Sequence, residues 1–316
     1  MMIVSETLSA LFSVLVFPGL AFCVLCALAF EWVDRVIIAR LQGRVGPPWY
    51  QPVADLIKLL AKEDILPTGA SHTVGAVLPL FSLASVLTAA LYVPVAGHVV
   101  SSFEGDLIVV LFLLSLPALA YFMAGWVSVG VYSVVGGSRS LLQYFSYEVP
   151  FLMALATPAI LADSWRISAI VARQPTWGVF TMPLGFVLAV VGLIGKLKRD
   201  PFDIPKAASE VVAGPLTEYS GRKLALWHLT VDVQTVVGIM LLVNLFLGGD
   251  TSTFVPVAGC AAPLLFAAKA LAILAALALA SVLYARLRID QLAQLGWRVL
   301  APLALAQILV ALWMVG

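Results

Sequence analysis

Long apolar runs alternate with short polar connections along the whole chain. A helix needs about 20 mostly apolar residues to cross the hydrocarbon core of a bilayer. Backbone polar groups in lipid must find their partners inside the helix itself. We therefore predict about eight transmembrane helices, of which the fourth and fifth are short. Their approximate bounds are Leu8–Trp32, Val74–Ala96, Leu107–Tyr132, Tyr147–Leu161, Val179–Ile194, Leu229–Leu247, Pro263–Tyr284 and Val299–Val315.

The composition supports the same fold class. Of the 316 residues, 62% are hydrophobic and only 11% are charged, whereas a soluble domain carries about 25% charged residues. So few charges could not cover the surface of a soluble core. We predict an all-α integral membrane protein that forms one membrane domain over residues 1–316. The net charge of +1 gives no indication of a nucleic-acid partner.

The basic residues fall almost entirely on one side of the predicted membrane. Fifteen of the 18 lysines and arginines lie in connections that share a side, and basic loops face the cytoplasm. We therefore predict a multi-pass protein of the cytoplasmic membrane with both termini outside. Residues of about 33–73 and 195–228 form its two large cytoplasmic loops.

The first loop predicts a short helix on the membrane surface. A Gly- and Pro-rich turn over Gly43–Pro48 is followed by Pro52, which suits a helix start. An apolar stripe and an opposite polar face make the segment that follows amphipathic; the stripe consists of Val53, Leu56, Ile57 and Leu60. Two interpretations fit: a lipid-anchoring helix, or a ledge on which a partner subunit docks.

The second loop concentrates charge in a chain that has little elsewhere. It sets the carboxylates of Asp200, Asp203, Glu210 and Glu218 among six cations. A solvated loop is one explanation. The apolar residues between the charges indicate instead a segment packed against the protein, where burial shifts carboxylate pKa values toward neutrality.

Besides Glu31 at the end of the first predicted helix, three charged residues fall inside predicted helices, namely Glu148, Asp232 and Lys269. An ionisable group in a membrane helix is a functional candidate because it is costly unless paired. For Asp232 and Lys269, a structural ion pair or snorkelling to the interface explains the position equally well.

Cys23 and Cys26 lie in the middle of an apolar run, and no second cysteine pair accompanies them. This spacing is better explained by helix packing than by metal binding. The sequence therefore predicts no metal site and no cofactor held by this chain.

Three segments together resemble one family. They are RVGPPWYQPVADLIKLLAKED from Arg44, SYEVP from Ser146, and PFDIPKAASEVVAGPLTEYSG from Pro201. Their order and spacing resemble the family of the H subunit of complex I (NADH dehydrogenase) and its relatives in membrane-bound [NiFe]-hydrogenases. The resemblance implies eight membrane helices, no cofactor of its own, and a surface that docks a peripheral arm.

The resemblance also implies roles for individual residues. The docking loops would include Arg44, Asp55, Lys58, Pro201, Phe202, Tyr219 and Gly221. The acidic motif positions would begin a coupling or proton relay toward an antiporter-like neighbour, with the two further intramembrane charges as candidate members. This relay comprises Glu148, Asp203, Glu210, Glu218, Asp232 and Lys269.

Departures from the quinone-reducing branch favour the hydrogenase branch. The quinone-reducing branch commonly has glutamates where Lys206 and Ala208 stand, and often an acid in place of Lys196. The segment GPLTEYSG also resembles the hydrogenase type more closely. Quinone binding is therefore the disfavoured alternative.

The resulting functional hypothesis is a non-catalytic, energy-coupling subunit of a redox-driven ion pump. Its expected partners are the lipid bilayer, hydrogenase-like large and small peripheral subunits, an iron–sulfur subunit and antiporter-like membrane subunits. The iron–sulfur clusters, and a NiFe centre in the hydrogenase branch, would lie in those partners. The alternatives are a quinone-binding subunit of a complex I-like enzyme, a stand-alone transporter, and a purely structural anchor.

Overall fold

The computed structural model describes residues 11–65, 67, 69–174, 176–251 and 261–315. Within these residues the regular structure is helical, apart from an antiparallel bridge between Val95 and His98. The α-helices, in chain order α1 to α13, are Leu20–Leu41, Gln51–Ala61, His72–Ala90, Asp106–Val127, Val131–Leu161, Ile167–Arg173, Gly178–Thr181, Pro183–Lys196, Ala208–Val211, Gly221–Leu247, Ala261–Leu283, Ile289–Leu295 and Ala301–Val315. A 3₁₀ turn covers Gly214–Leu216, and a π-helical turn over Gly296–Leu300 joins α12 to α13.

Seven helical segments in the described residues are long and apolar enough to cross a membrane. An eighth, α8, is apolar but has only 14 residues. Each of the eight predicted runs thus coincides with a helix, which confirms the all-α membrane fold. The start of the first predicted helix, at Leu8, lies outside the described residues. The orientation of the termini stays a prediction.

The fourth helix differs most from its predicted bounds. We expected Tyr147–Leu161, preceded by a connection that holds Arg139, but α5 covers 31 residues from Val131. The polar, glycine-rich sequence before Tyr147 suggested a loop. The segment is nevertheless helical, and its small residues let the second loop pack closely on it: a Cβ on Gly136 would lie 2.6 Å from the Cα of Gly214.

Two further helices begin earlier than expected. The sixth begins at Gly221, not Leu229, and the last runs without a break from Ile289 rather than from Val299. In both cases the polar first turns continue an apolar helix. Asp232 consequently lies three turns inside α10 rather than near its end.

The central element of the bundle is α10, in which 83% of the residues in an apolar 18-residue stretch are buried. It packs against α1, α3 and α11, and its loop-side half also contacts α2. The surface helix α2 and the first membrane helix α1, which carry predicted site residues, therefore both pack on this buried helix.

The predicted surface helix is α2. Its apolar residues Val53 and Ile57 are 40% and 60% exposed, and its polar residue Asp55 points toward α1, where it meets Arg35. Three of the four stripe residues, Val53, Ile57 and Leu60, are exposed, as expected of a helix that lies in the membrane interface.

The two large loops are joined to each other. The Ser220 Oγ accepts a hydrogen bond from the Ile65 amide at 2.8 Å, and Lys223 pairs with Asp64 at 3.1 Å. Gly221 has φ +55, and a Cβ there would lie 2.7 Å from the Glu63 carbonyl oxygen. A residue with a side chain would not fit this contact, so glycine permits the two loops to meet.

Candidate functional site

Two adjoining cavities, of about 260 and 320 Å³, lie beneath these loops. They are enclosed by α1, α2, α10 and the second loop. Both cavities are lined by the same four ionisable residues, so they form one charged space, called here the loop-side cavity. The shared residues are Glu31, Arg35, His228 and Asp232.

Ion pairs tie the walls of the loop-side cavity together. Arg35 pairs with Glu31 one turn away on α1 and with Asp55 of α2, the latter at 2.8 Å. The Arg35 guanidinium lowers the pKa of Asp55. Asp34 pairs with Arg199 at 2.8 Å, which fixes the second loop to α1. The polar face of the surface helix is therefore an inner wall of the cavity.

Asp232 faces this space from the central helix. It lines both cavities together with Glu31, which lies on the neighbouring helix α1. A carboxyl group this deep in the bundle needs a cation or a shared proton nearby, and Arg35 and His228 line the same walls. Asp232 is thus part of a cluster and not an isolated charge.

Asp203 and two lysines form the loop-side edge of the cavity. Burial raises the pKa of Asp203 to about 6, although the nearby Lys206 opposes this shift. Burial, together with the charges of Lys206 and Lys196, lowers the pKa of Lys198 to about 7. Lys198 also lies 4.4 Å from the ring centre of Tyr121. Both groups can exchange protons near neutral pH.

Glu148 lies outside this cavity, in a buried pair with Lys196. The Lys196 Nζ lies 2.8 Å from Glu148 Oε1 and donates to the Leu114 carbonyl oxygen at 3.3 Å. The two side chains are 0% and 5% exposed. The Phe151 ring lies 5.2 Å from the same ammonium group. The pair thus joins α4, α5 and α8 inside the bundle.

Glu210 forms a separate ion-pair bridge. Its carboxylate pairs with Arg139 of α5 and with Arg286 in the connection between α11 and α12. Both arginines lower the pKa of Glu210, the Arg139 hydrogen bond most strongly. Glu210 therefore stays ionised at neutral pH and links the second loop to α5 and to the connection between α11 and α12.

The remaining motif acid, Glu218, packs at the turn between α4 and α5. A Cβ on Gly130 would lie 2.6 Å from its Oε1. The adjacent Tyr219 is buried against Trp227, with ring centres 6.2 Å apart, and burial raises its pKa to about 12. These two residues anchor the second loop and stand apart from the loop-side cavity.

Lys269 lies at the far end of the bundle. Its Nζ donates to the carbonyl oxygens of Leu247 at 2.6 Å, Gly249 at 2.8 Å and Thr251 at 2.6 Å. The Trp177 ring centre is 4.8 Å away. This geometry is a cap on the carboxyl end of α10, where a cation is favourable.

The docking-loop candidates divide into buried and exposed residues. Phe202 is 4% exposed, and the Pro201 carbonyl accepts a hydrogen bond from the Leu287 amide at 3.0 Å. Lys58 lines the loop-side cavity from α2. Arg44 is exposed and contacts Gln42. The structure brings Asp55, Lys58, Asp203 and Asp232 to one cavity and separates them from the other candidates.

Several charged residues of the site were missed as site residues in the sequence. Lys196 appeared to be a loop cation, although it ends an apolar run and is fully buried. His228 was expected at an interface, yet it lines both halves of the cavity. One signal in the sequence could have indicated the cavity. Asp34 and Arg35 follow Glu31 by three and four residues, a spacing that places these charged side chains on the same side of one helix.

Among the described residues, no group of three His, Cys, Asp or Glu side chains is arranged to hold a metal ion. What the site offers is ionisable groups that differ in burial and in partners. Such groups can hold and move protons, or respond to a nearby charge. Fold and site together define a polytopic membrane subunit whose ionisable groups gather on one side of the bilayer.

Comparison with known proteins identifies the family. The sequence model of the NADH dehydrogenase family matches residues 14–312. An H subunit of NADH-quinone oxidoreductase from Geobacter metallireducens is 38% identical over 315 residues, covering 93% of this chain and 94% of that protein. The corresponding H subunit of Dehalococcoides mccartyi strain 195 is 34% identical over 297 residues, covering 92% and 82%. The chain belongs to the family of the NADH dehydrogenase H subunit.

A solved structure has the same fold. One chain of the membrane-bound sulfane sulfur reductase, an archaeal respiratory membrane complex, matches with a TM-score of 0.83 and 24% identity. The match covers 96% of this chain and 99% of that one. This match shows the fold. With the family given by the sequence comparisons, the chain is a multi-span membrane subunit of a complex I-like respiratory complex.

Proposed function

We propose that this chain is the energy-coupling subunit of a redox-driven ion pump. It docks a hydrogenase-like peripheral arm on its two joined loops and relays the redox event to antiporter-like membrane subunits. The observation that carries the proposal is the loop-side cavity, where Asp203, Lys198 and Asp232 gather beneath the surface formed by both loops. Charge that changes in a docked arm would act first on these groups.

The titration behaviour of the cavity edge supports a relay. Asp203 has a pKa of about 6 and Lys198 a pKa of about 7, so a small change in local potential alters their protonation at neutral pH. Lys198 is also influenced by both Asp203 and Glu148. It can therefore couple the loop-side cavity electrostatically to the buried Glu148–Lys196 pair.

The other relay candidates take different parts in this proposal. Glu210 and Glu218 hold the second loop in place, Glu210 through its two arginines and Glu218 by its contact with Gly130. Lys269 caps α10 at the opposite end. Asp232 and Glu148 are the intramembrane carboxyl groups through which the signal passes.

The proposal assigns the electron carriers to partner subunits. These partners are a large and a small peripheral subunit, an iron–sulfur subunit, and, in the hydrogenase branch, a subunit with a NiFe centre. Lys196 and Lys206 favour that branch, because the quinone-reducing branch often has an acid in place of Lys196 and commonly a glutamate in place of Lys206, whereas here Lys196 pairs with Glu148. A second candidate function is the quinone-binding subunit of a complex I-like enzyme, and the names of the relatives in Geobacter and Dehalococcoides favour it.

The deciding experiment uses the complex purified with its native partners in mild detergent. Hydrogen evolution from a reduced low-potential donor, without quinone reduction, would support the hydrogenase branch. Quinone reduction would support the second candidate. Ion transport in proteoliposomes then tests coupling: Asp203→Asn should reduce the number of ions moved per electron while electron transfer continues. Unchanged coupling would refute the relay.

A further inference from the structure

A third cavity, of about 170 Å³, brings three arginines together on the loop side. It lies between α5 and the connection from α11 to α12, on the far side of the second loop from the loop-side cavity. Arg139, Arg286 and Arg288 line it, together with Glu210 and Asp290. We call this space the arginine pocket.

The arginine pocket has an excess of positive charge. Glu210 is shared between Arg139 and Arg286, whose side chains are 26% and 27% exposed. Arg288 pairs with Asp290 at 3.7 Å, and both side chains are largely exposed. Three cations thus face two anions. Each guanidinium has five N–H donors, so donors remain for a further anion with a single charge.

The pocket lies beside the contact between α5 and the last membrane helix, which begins with α12. The helices converge at Gly296, where a Cβ would lie 2.1 Å from the Ser146 carbonyl oxygen. Arg139 lies seven residues from Ser146 on α5, which corresponds to about 10 Å along the helix. Leu287 and Ile289 form the apolar wall and pack on the core. The pocket therefore has charged and apolar walls side by side.

Large exposed apolar side chains lie close in sequence to the pocket residues: Leu142 is one helical turn after Arg139 on α5, and Tyr284 comes two residues before Arg286. Leu142 on α5 is 55% exposed, Tyr284 is 64% exposed, and Trp297 beside Gly296 is 54% exposed. Tyrosine and tryptophan are typical of the level at which lipid headgroups lie. A free phosphate would use the arginines but not these side chains, whereas a phospholipid would use both.

We propose that the arginine pocket binds the headgroup of an anionic phospholipid. Its phosphodiester accepts hydrogen bonds from Arg286 and Arg288, and its acyl chains lie along Leu142 and Trp297. The single negative charge of the phosphodiester balances the excess of one cation. Basic pockets between membrane helices on this side of the bilayer bind such headgroups. The bound lipid holds α5 against α12 and is independent of the electron acceptor.

The test measures lipid that stays with the complex purified with its native partners. After extensive washing in mild detergent, bound phospholipids are extracted and quantified by mass spectrometry. The double variant Arg286→Gln, Arg288→Gln should retain less anionic phospholipid, with about a fivefold weaker affinity for each arginine removed. The matched control is Arg40→Gln, because Arg40 is exposed at the end of α1 on the same side. It should retain the wild-type amount.

A second variant guards against misfolding of the first. Glu210→Gln removes the carboxylate that competes for Arg139 and Arg286, so it should increase the affinity for phosphatidylglycerol. Binding is measured by adding phosphatidylglycerol, phosphatidylcholine or inorganic phosphate to washed complex and recording the thermal unfolding midpoint. Stabilisation by phosphatidylglycerol alone, stronger in Glu210→Gln, supports the proposal.

Three outcomes would overturn it. Equal stabilisation by inorganic phosphate would indicate a site for free anions, and equal stabilisation by phosphatidylcholine would indicate nonspecific solvation by lipid. Loss of the peripheral arm from the double variant, with lipid retention unchanged, would assign the arginines to an acidic surface of that arm.

Discussion

Lys196 donates to Glu148 across 2.8 Å in the interior of the bundle, where the two side chains are 0% and 5% exposed. The candidate relay residue Glu148 is therefore not paired with a second carboxyl group but forms a buried ion pair with a lysine. Either side chain alone would be a charge without compensation in a medium of low polarity. Loss of either partner should therefore destabilise the fold strongly.

Breaking this pair should cost stability that the removal of both charges restores. Lys196→Met and Glu148→Gln should each destabilise the assembled complex by about 3–5 kcal/mol, because one buried charge loses its partner. The double variant should be closer to wild type. Thermal unfolding of the purified complex gives the comparison. Additive losses in the double variant would mean that the two charges do not interact.

The charge of Asp203 should make stability depend on pH in the acidic range. Its pKa is raised from 3.8 to about 6 by burial, so the folded state binds its proton more tightly than the unfolded state. The resulting stabilisation is complete below about pH 4 and is lost as the pH rises through 6. Relative to Asp203→Asn, the wild type should therefore lose stability as the pH rises from about 4 to about 6. Above about pH 6 the difference in stability between the two proteins should be constant.

Unfolding midpoints of the two proteins at matched pH values test this dependence. Asp290→Asn is the control, because Asp290 is 69% exposed. If the difference between wild type and Asp203→Asn were constant across this pH range, Asp203 would not be buried in the folded complex.

Gly221 should be required for the contact between the two loops. Alanine there meets the Glu63 carbonyl oxygen at 2.7 Å and must also adopt φ +55. Gly43 has φ +70 but nothing within 4 Å of its Cβ position. Gly43→Ala should lower the stability of the folded complex by about 1 kcal/mol, because only the backbone conformation becomes unfavourable. Gly221→Ala should lower it by more, because a steric clash is added.

Limited proteolysis of the loops and retention of partner subunits after purification would measure this difference. Equal effects of the two alanine variants would show that the steric contact at Gly221 is unimportant and that only its backbone angle matters.

Lys269 should act on stability rather than on ion transport. Lys269→Met leaves three carbonyl oxygens without their donor, and an unsatisfied buried acceptor costs about 1–3 kcal/mol. We expect a lower unfolding midpoint, with an unchanged ratio of ions moved per electron in proteoliposomes. A normal midpoint with reduced coupling would instead place Lys269 in the relay.

The sequence predicted the membrane class, the number of helical runs, the surface helix and the family. These features depend on local patterns: an apolar run of sufficient length, an amphipathic stripe after Pro52, and three motifs in a fixed order. Such patterns are visible without knowledge of which helices are neighbours. The helix bounds were less accurate where polar residues continue a helix, as between Val131 and Tyr147.

The partners of the charged residues depended on tertiary structure. Glu148 and Lys196 are separated by 48 positions, and Arg199 and Asp34 by 165. Similar acids in the second loop also differ in environment: Asp203 is half-buried at a cavity, whereas Glu210 lies between two arginines. The sequence determined which residues can ionise. Only the packing of α1, α5, α8 and α10 decided which of them are paired, because burial and opposite charge come from segments distant in the chain.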